Sequence, residues 1–566
     1  MRKLTSVTSQ WASVYLYLIL AAVPAAAVSA CAQSADPPES RAIDGLLSRA
    51  FRPDQPGAAA IVTRKGQILL RKGYGMADME LKVPIEPDMV FRLGSVTKQF
   101  TAVAILMLEE QGKLSVQDPI TKFLPDYPTQ GHTITVENLL THTSGIRSYT
   151  SMPEWQPLWR KDFSLAELID FFKNQPMDFA PGERWLYDNS GYILLGAIIE
   201  KASGQSYEDF IRKSLFEPLQ MNHSYYDHTE RIIPRRVKGY QRSGQGYENA
   251  PYLSMSQPYA AGSLASSVDD LAAWNQALWE NRLLKKESLA KAHKPFVLKD
   301  GRATGYGYGW TIASYAGHRT VEHGGGIHGF ATYVLSMPDD DVFVAILTNG
   351  SAGPAASPGR LAVQMAGIAV GTPVAEPTAI TLNADQLDRY TGVYQLEDKS
   401  EAWITRDANQ LFVQRQGGSR DPIRPLSETE FFFPNSFTRL IFSLDSGGRP
   451  VRAELRPRAG MVDTAVRTSK PLPSRKEVEV STSILQNYTG TYELAPNFHL
   501  TVTLEGGNLM TEATGQSKVQ VFPESETKFF LKTTDAQIEF ILDASGHATG
   551  LKLYQGGRIT QAKKVS

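Results

Sequence analysis

A serine followed three residues later by a lysine occurs three times in this chain: Ser95 with Lys98, Ser288 with Lys291, and Ser525 with Lys528. The pair matters chemically because a serine hydroxyl is a weak nucleophile at neutral pH and needs a base beside it. On a helix, residues three apart share a face, so an amine and a hydroxyl at this spacing can meet. Lysine acts as that base only when its ordinary pKa is brought down, and burial and the positive end of a helix both disfavour its charged form. A lowering of about three units costs roughly 4 kcal/mol, which a folded core sustains. Only Ser95 opens a long apolar helix, with a stripe at Phe100, Val103, Ala104, Met107 and Leu108 and a stop at Gly112. Its backbone N–H, unpaired within such a helix, can also face an oxyanion. The competing reading is a plain helix-capping serine with a solvated lysine.

Two further groupings raise the chemical content of the first. In "PGERWLYDNSGYILLGAIIE", Tyr187 and Asn189 occupy a polar turn directly before an apolar helix. A tyrosine there can share the serine proton, and an asparagine amide can hold both a lysine and a substrate carbonyl. The same Tyr-x-Asn spacing at Tyr247 and Asn249 has no helix behind it and reads as surface loop. In "VEHGGGIHGFATYVLSMP", His323, Gly324 and Gly325 lead into a strand, where glycines admit a substrate backbone and the Gly326 N–H can supply a second oxyanion donor. The plainer alternative is a glycine turn with an exposed histidine. His318, His323 and His328 invite a metal, but no H-E-x-x-H pattern accompanies them, so no metal and no cofactor is expected. The absence of a G-x-S-x-G elbow argues against an α/β-hydrolase.

Several elements must position these groups. "AAAIVTRKGQILLRKGYG" reads as two strands joined at Lys65 and Gly66. Helical stretches follow, among them "SLAELIDFFKNQ", "GYILLGAIIEKASG" and "SVDDLAAWNQALWENRLL". Strands return late, in "YGYGWTIASY", "FATYVLSMP" and "VFVAILTNG". Strands at both ends with helices between predict an α+β plan: a mixed sheet whose first and last strands pair.

Beyond "GTPVAEPTAI", which reads as a linker, the chain repeats itself. "YTGVYQL" at Tyr390 recurs as "YTGTYEL" at Tyr488, an offset of 488 − 390 = 98, and the same offset links "SETEFFF" at Ser427 to "SETKFFL" at Ser525. Two copies of one small β domain are therefore expected, each of a size to close as an antiparallel barrel. The boundaries are placed at 40–371 for the first domain, 382–470 for the first repeat and 481–566 for the second.

At the N-terminus, Arg2 and Lys3 precede an apolar run ending in small residues, so residues 1–31 read as an export signal. Cys31, the one cysteine, follows "VSA" as in a bacterial lipoprotein signal, where the cysteine is lipidated; ordinary cleavage to a soluble exported product is the alternative. Localisation is expected in the periplasm or cell envelope, with membrane attachment only through that lipid. A charge balance of 58 Lys+Arg against 59 Asp+Glu gives no footprint for nucleic acid.

Ser95-x-x-Lys98, Tyr187-x-Asn189 and His323-x-Gly325, in that order, resemble the three motifs of the penicillin-recognising serine hydrolases. That family includes class C β-lactamases, DD-carboxypeptidases, D-aminopeptidases and related esterases. "LLTHTSGI", "FEPLQMNHS", "AAGSLASSVDDLAAW" and "YGYGW" extend the resemblance over roughly residues 40 to 370. It implies a two-lobed catalytic domain, an all-α lobe beside an antiparallel sheet with flanking helices. It also implies acyl transfer to an amide or ester substrate, with Ser95, Lys98 and Tyr187 as catalytic residues and Asn189, His323 and Gly325 binding substrate. Two departures stand out. Asp188 replaces a commoner small residue, either adding negative charge near the cleft or facing away. His323 replaces a lysine and, mostly neutral at pH 7, offers a hydrogen bond in place of a fixed charge for a substrate carboxylate. This points away from β-lactamases and DD-carboxypeptidases and toward the esterase and D-aminopeptidase members, of which the D-aminopeptidases also carry two C-terminal barrels. A promiscuous esterase, a weak β-lactamase, or a silent cell-wall peptide sensor are the alternatives.

Overall fold

The computed structural model describes residues 37–566 except 244–245, 351–352, 354–355, 496–497 and 557; the expected signal at 1–31, with Cys31, lies outside them. Strands β1 (Ala58–Arg64) and β2 (Gln67–Tyr74) form the hairpin read from the sequence. Lys65 and Gly66 both take positive φ, 50° and 73°, the combination whose twist suits a two-residue connection. Four later strands complete the sheet: β3 (Thr311–Tyr315), β4 (His318–Ile327), β5 (Phe330–Met337) and β6 (Val342–Thr348). Their order is β3-β4-β5-β6-β1-β2, so the first strand does pair with the last. Every pairing is antiparallel, which corrects the expectation of a mixed sheet. The reason is local: β3 to β6 follow one another through short turns, and a parallel pair would need a crossover between neighbours.

Because both faces of the sheet are covered, β1 is apolar at consecutive positions. Ala59 and Ile61 join the core shared with the helical lobe. Ala58, Ala60 and Val62 pack on the other side with residues of α1 (Pro38–Ala50) and of a late helix, Pro358–Val370. In the helical lobe, α2 (Thr97–Glu110) is buried almost all round, the signature of a central helix. Phe100 of α2 stacks at 4.1 Å on Trp274. Around it lie α3 (Leu165–Phe172), α4 (Asn189–Ser203) and α5 (Val268–Trp279). Ser164 caps α3 with a reciprocal bond from Glu167, Ser267 caps α5, and Gly204 at φ 72° ends α4.

The two repeats are two closed antiparallel barrels of eight strands each, spanning Gly392 to Arg467 and Gly490 to Lys564. Their shared design extends to single bonds: the Tyr394 hydroxyl donates to the Tyr390 carbonyl at 2.8 Å, and that of Tyr492 to the Tyr488 carbonyl at 2.6 Å. The offset of 98 persists to the seventh strand, where Leu455 corresponds to Leu553 (553 − 455 = 98). It falls to 97 in the eighth, where Asp463 pairs with Leu455 as Thr560 does with Leu553 (560 − 463 = 97). The last connection of the first barrel is thus one residue longer. From this loop Arg458 reaches the catalytic domain, where it pairs with Glu322, a fully buried carboxylate of β4, and donates to Thr320 Oγ1 at 3.2 Å. The barrels meet through the Gly417 N–H, which donates to Asp535 at 3.1 Å, and the Arg420 N–H, which donates to the Thr533 carbonyl at 3.0 Å.

Candidate active site

Ser95 does not open the helix itself. Gly94–Val96 form a 3-10 turn, α2 starts at Thr97, and no side chain caps it. The physical reason lies in Gly94, whose φ is 53° and whose missing Cβ would stand 2.9 Å from the Gly326 nitrogen. Strand β4 presses so close that the chain tightens before it relaxes into an α-helix. Gly325 is needed for the same approach, since a Cβ there would meet the Leu93 carbonyl oxygen at 1.9 Å. The capping reading of Ser95 is therefore excluded, and the residue before it, Gly94, lies against the backbone of Gly326.

The Lys98 amine is completely buried and lies 3.1 Å from Ser95 Oγ, 2.8 Å from Asn189 Oδ1 and 2.9 Å from the Ala261 carbonyl oxygen. Burial pushes its pKa down to about 7, with the charge of Asp188 acting in the opposite sense. Three oxygens around the nitrogen accept the three N–H bonds of an ammonium; once the proton is lost, two N–H bonds still serve the two carbonyl oxygens and the lone pair faces Ser95 Oγ. Asn189 is fixed in turn by donating from Nδ2 to Thr150 Oγ1 at 3.0 Å and from its backbone N–H to Ser148 Oγ at 3.1 Å.

The Tyr187 ring lies 4.8 Å from the Lys98 nitrogen. Burial holds its phenol protonated far above the usual range, against a weaker downward pull from neighbouring Ser95. Its hydroxyl has no hydrogen-bond partner among the described residues, leaving it available to whatever enters. Asp188, between Tyr187 and Asn189, faces away from the cleft: its carboxylate caps α4, accepting from the Gly191 N–H at 3.0 Å and from Ser144 Oγ at 3.3 Å. Burial raises its pKa to about 7.

His323 is buried, which excludes the exposed-turn reading. Nδ1 lies 2.6 Å from the Gly324 carbonyl oxygen and Nε2 lies 2.8 Å from the Tyr306 hydroxyl. A carbonyl only accepts, so the proton belongs on Nδ1 and Tyr306 donates to Nε2. Burial, with Lys98 adding to it, lowers the pKa to about 3. The expected hydrogen bond to substrate is thus already spent inside the protein, and the imidazole presents neutral ring surface.

Sequence reasoning missed two groups. His142 packs on Tyr187 and Tyr306 at centroid distances of 4.3 and 4.8 Å, and its Nδ1 accepts from the Asp188 N–H at 3.1 Å. It anchors the turn that carries Tyr187 and Asn189. Tyr306 orients His323. Both lie in quoted stretches, "LLTHTSGI" and "YGYGW", but neither has a spacing that singles it out.

The decoy patterns behave otherwise. Ser288 donates to Glu110 at 2.6 Å and Lys291 pairs with Glu109 at 3.1 Å. Ser525 Oγ accepts the Lys528 N–H at 3.1 Å in an exposed turn, and Asn249 donates to Glu80 at 2.8 Å on the surface. The histidines diverge as well: His318 contacts Asp340 at 2.7 Å and His328 the Pro251 carbonyl at 3.1 Å.

Comparison with known proteins identifies relatives of the chain and of its domains. The beta-lactamase family matches residues 43–366, and a domain family of unknown function matches twice, at 376–469 and 474–563. The chain is 30% identical over 441 residues to a penicillin-binding protein of Bacillus subtilis (strain 168), across 73% of this chain and 95% of that one. The octameric penicillin-binding protein homologue from Pyrococcus abyssi is similar in structure, with a TM-score of 0.54 and 26% identity, covering 75% of this chain and 99% of its own. The D-amino acid amidase from Ochrobactrum anthropi SV3, solved with L-phenylalanine amide, has a TM-score of 0.52 and 25% identity over 59% of this chain and 99% of its own.

Proposed function

The chain belongs to the beta-lactamase family of penicillin-recognising serine hydrolases, and from that premise we propose that it cleaves an amide bond of a D-amino acid derivative through an acyl-enzyme on Ser95. The observation that carries this reading is the set of three contacts around the buried Lys98 amine, which poises it as a base near pH 7. Lys98 takes the Ser95 proton as Oγ bonds to the carbonyl carbon. The tetrahedral oxyanion is held by the backbone N–H groups of Ser95 and Gly326, each worth about 10²–10³ in rate. Tyr187 passes a proton to the departing amine as the C–N bond breaks and is refilled with the proton that Lys98 took from Ser95, so Lys98 is a neutral amine again. Water then attacks the ester, Lys98 again receives the proton, and Ser95 Oγ leaves with one.

Substrate class follows from the wall opposite Lys98. A neutral His323 with both ring nitrogens engaged gives no fixed cation for a free carboxylate, which favours an amide over a β-lactam or a peptide with a C-terminal carboxylate. The D-amino acid amidase among the structural relatives supports the same choice. Two measurements test it. A fluorophosphonate is expected to label Ser95, and loss of labelling in wild type would leave only a silent binding protein. In a panel of D-aminoacyl amides, short acyl esters and a chromogenic cephalosporin, the amides should give the highest kcat/KM; preference for the cephalosporin would overturn the substrate assignment.

A further inference from the structure

The first barrel holds a pocket of about 210 Å³, open at one side, that takes no part in the site around Ser95. Its origin can be read by comparing the two repeats position by position, because their strand registers match. Ala402 pairs with Tyr394 as Leu500 pairs with Tyr492, and Ala453 pairs with Ala465 as Leu551 pairs with Ala562. In the second barrel Leu500 and Leu551 are part of the packed interior. In the first, alanine stands at both places, and both alanines line the pocket. The cross-strand neighbour does not make up the loss: Arg415, opposite Ala402, is drawn to Asp398 at 2.5 Å and lies 3.8 Å from Asp463.

Protein interiors are normally filled to the density of organic crystals. Eight-stranded barrels sit at the size where side chains either fill the interior or leave room for one small ligand. The two repeats differ in this respect: leucines occupy the second interior where the alanines of the first leave room. The pocket is walled by Tyr394, Ile404, Val413 and Leu440 besides the alanines. The two hydroxyls of the lining are already engaged, Tyr394 donating to the Tyr390 carbonyl at 2.8 Å and Ser419 to Asp421 at 2.9 Å, so neither needs a partner from an occupant. An apolar cavity of about 150 Å³ stays dry and takes up benzene. The polar residues of the lining are Arg415, Ser419, Asp421 and Asp463. Asp398 and Asp463 flank the single guanidinium and Asp421 adds a third carboxylate to the neighbourhood, a net negative charge that disfavours an anionic ligand.

We propose that the first barrel is a binding site for a small uncharged apolar molecule, an aromatic ring or a medium-length alkyl chain, seated between Ala402 and Ala453. Isothermal titration of the full chain with indole and with 1-octanol tests this, with octanoate as the anionic counterpart of the alcohol. At least one neutral probe should bind one to one with Kd below about 1 mM. Octanoate should bind about tenfold more weakly than the alcohol. Ala402→Leu with Ala453→Leu, which installs the residues of the second barrel, should weaken the neutral probe at least about tenfold while labelling of Ser95 stays unchanged. Binding of neither neutral probe, unchanged affinity in the filled variant, or octanoate binding as tightly as octanol would overturn the proposal. If the double variant melts below wild type, Ala453→Val alone carries the same expectation at smaller amplitude. Labelling of Ser95 separates failure here from failure of the hydrolase reading.

Discussion

Lys98 and Lys291 both follow a serine by three residues, yet the protein treats them as different chemical groups. Lys291 is half-exposed and lies 3.1 Å from a carboxylate of Glu109. Lys98 is sealed inside the helical lobe, and the oxygens it touches belong to a serine, an amide and a peptide carbonyl. A carboxylate partner stabilises an ammonium; uncharged carbonyl oxygens accept its hydrogens equally well but do little to offset the cost of burying the charge. Spacing creates the opportunity for a base, and the formal charge of the partners decides whether one results.

The comparison breaks most visibly at the two serines. Ser95→Ala is expected to lower kcat/KM by about 10⁴–10⁶ and to abolish fluorophosphonate labelling, whereas Ser288→Ala should change neither; equal effects would remove the distinction. Lys98→Met should cost nearly as much activity. Because Lys98 titrates near 7 in the folded chain and near 10.4 when unfolded, the unfolded state binds more protons between these values, and its burial weakens folding at pH 7. The variant should therefore gain roughly 1–3 kcal/mol in denaturant unfolding, even with two carbonyl oxygens left unpaired. Asn189→Asp gives Lys98 the kind of partner Lys291 has. It should raise the lysine pKa by about 1–3 units, lower kcat/KM at pH 7 by about 10- to 10³-fold, and recover part of it as the pH rises. In wild type, kcat/KM should rise with pH through about 7 as Lys98 loses its proton, and His323, titrating near 3, should add no step between pH 5 and 8. The smallest effect belongs to Tyr306→Phe, which frees His323 Nε2. A loss of about tenfold or less in kcat/KM and about 1 kcal/mol of stability is expected.

What could be read beforehand was whatever local chemistry determines. The Lys65-Gly66 turn, the helical stretches beginning at Ser164 and Ser267 and the repeat at Tyr390 and Tyr488 are all written in contiguous residues. The features that escaped depend on segments far apart in sequence. Ser95 sits in a 3-10 turn because β4, more than two hundred residues later, crowds Gly94. The Ala261 carbonyl beside Lys98 carries no side-chain signal at all. His142 and Tyr306 matter through packing and through the tautomer they enforce, and neither leaves a motif. Asp188 was legible only as an alternative, and the structure chose the helix cap.

One residue separates the last hairpin of the first barrel from that of the second, and it changes what duplication can do with the two copies. The longer loop sends Arg458 out of its own domain to neutralise a carboxylate that the catalytic domain keeps in its interior. Tandem copies ordinarily remain exchangeable, because each satisfies its own hydrogen bonds and charges. Here the first copy has taken on an obligation to its neighbour that the second, with its shorter connection, has no loop to meet. Reversing the order of the repeats, or replacing the first by a duplicate of the second, would strand Glu322 without its counter-charge. The order of the domains is in this way inherited as part of the catalytic domain's own electrostatics.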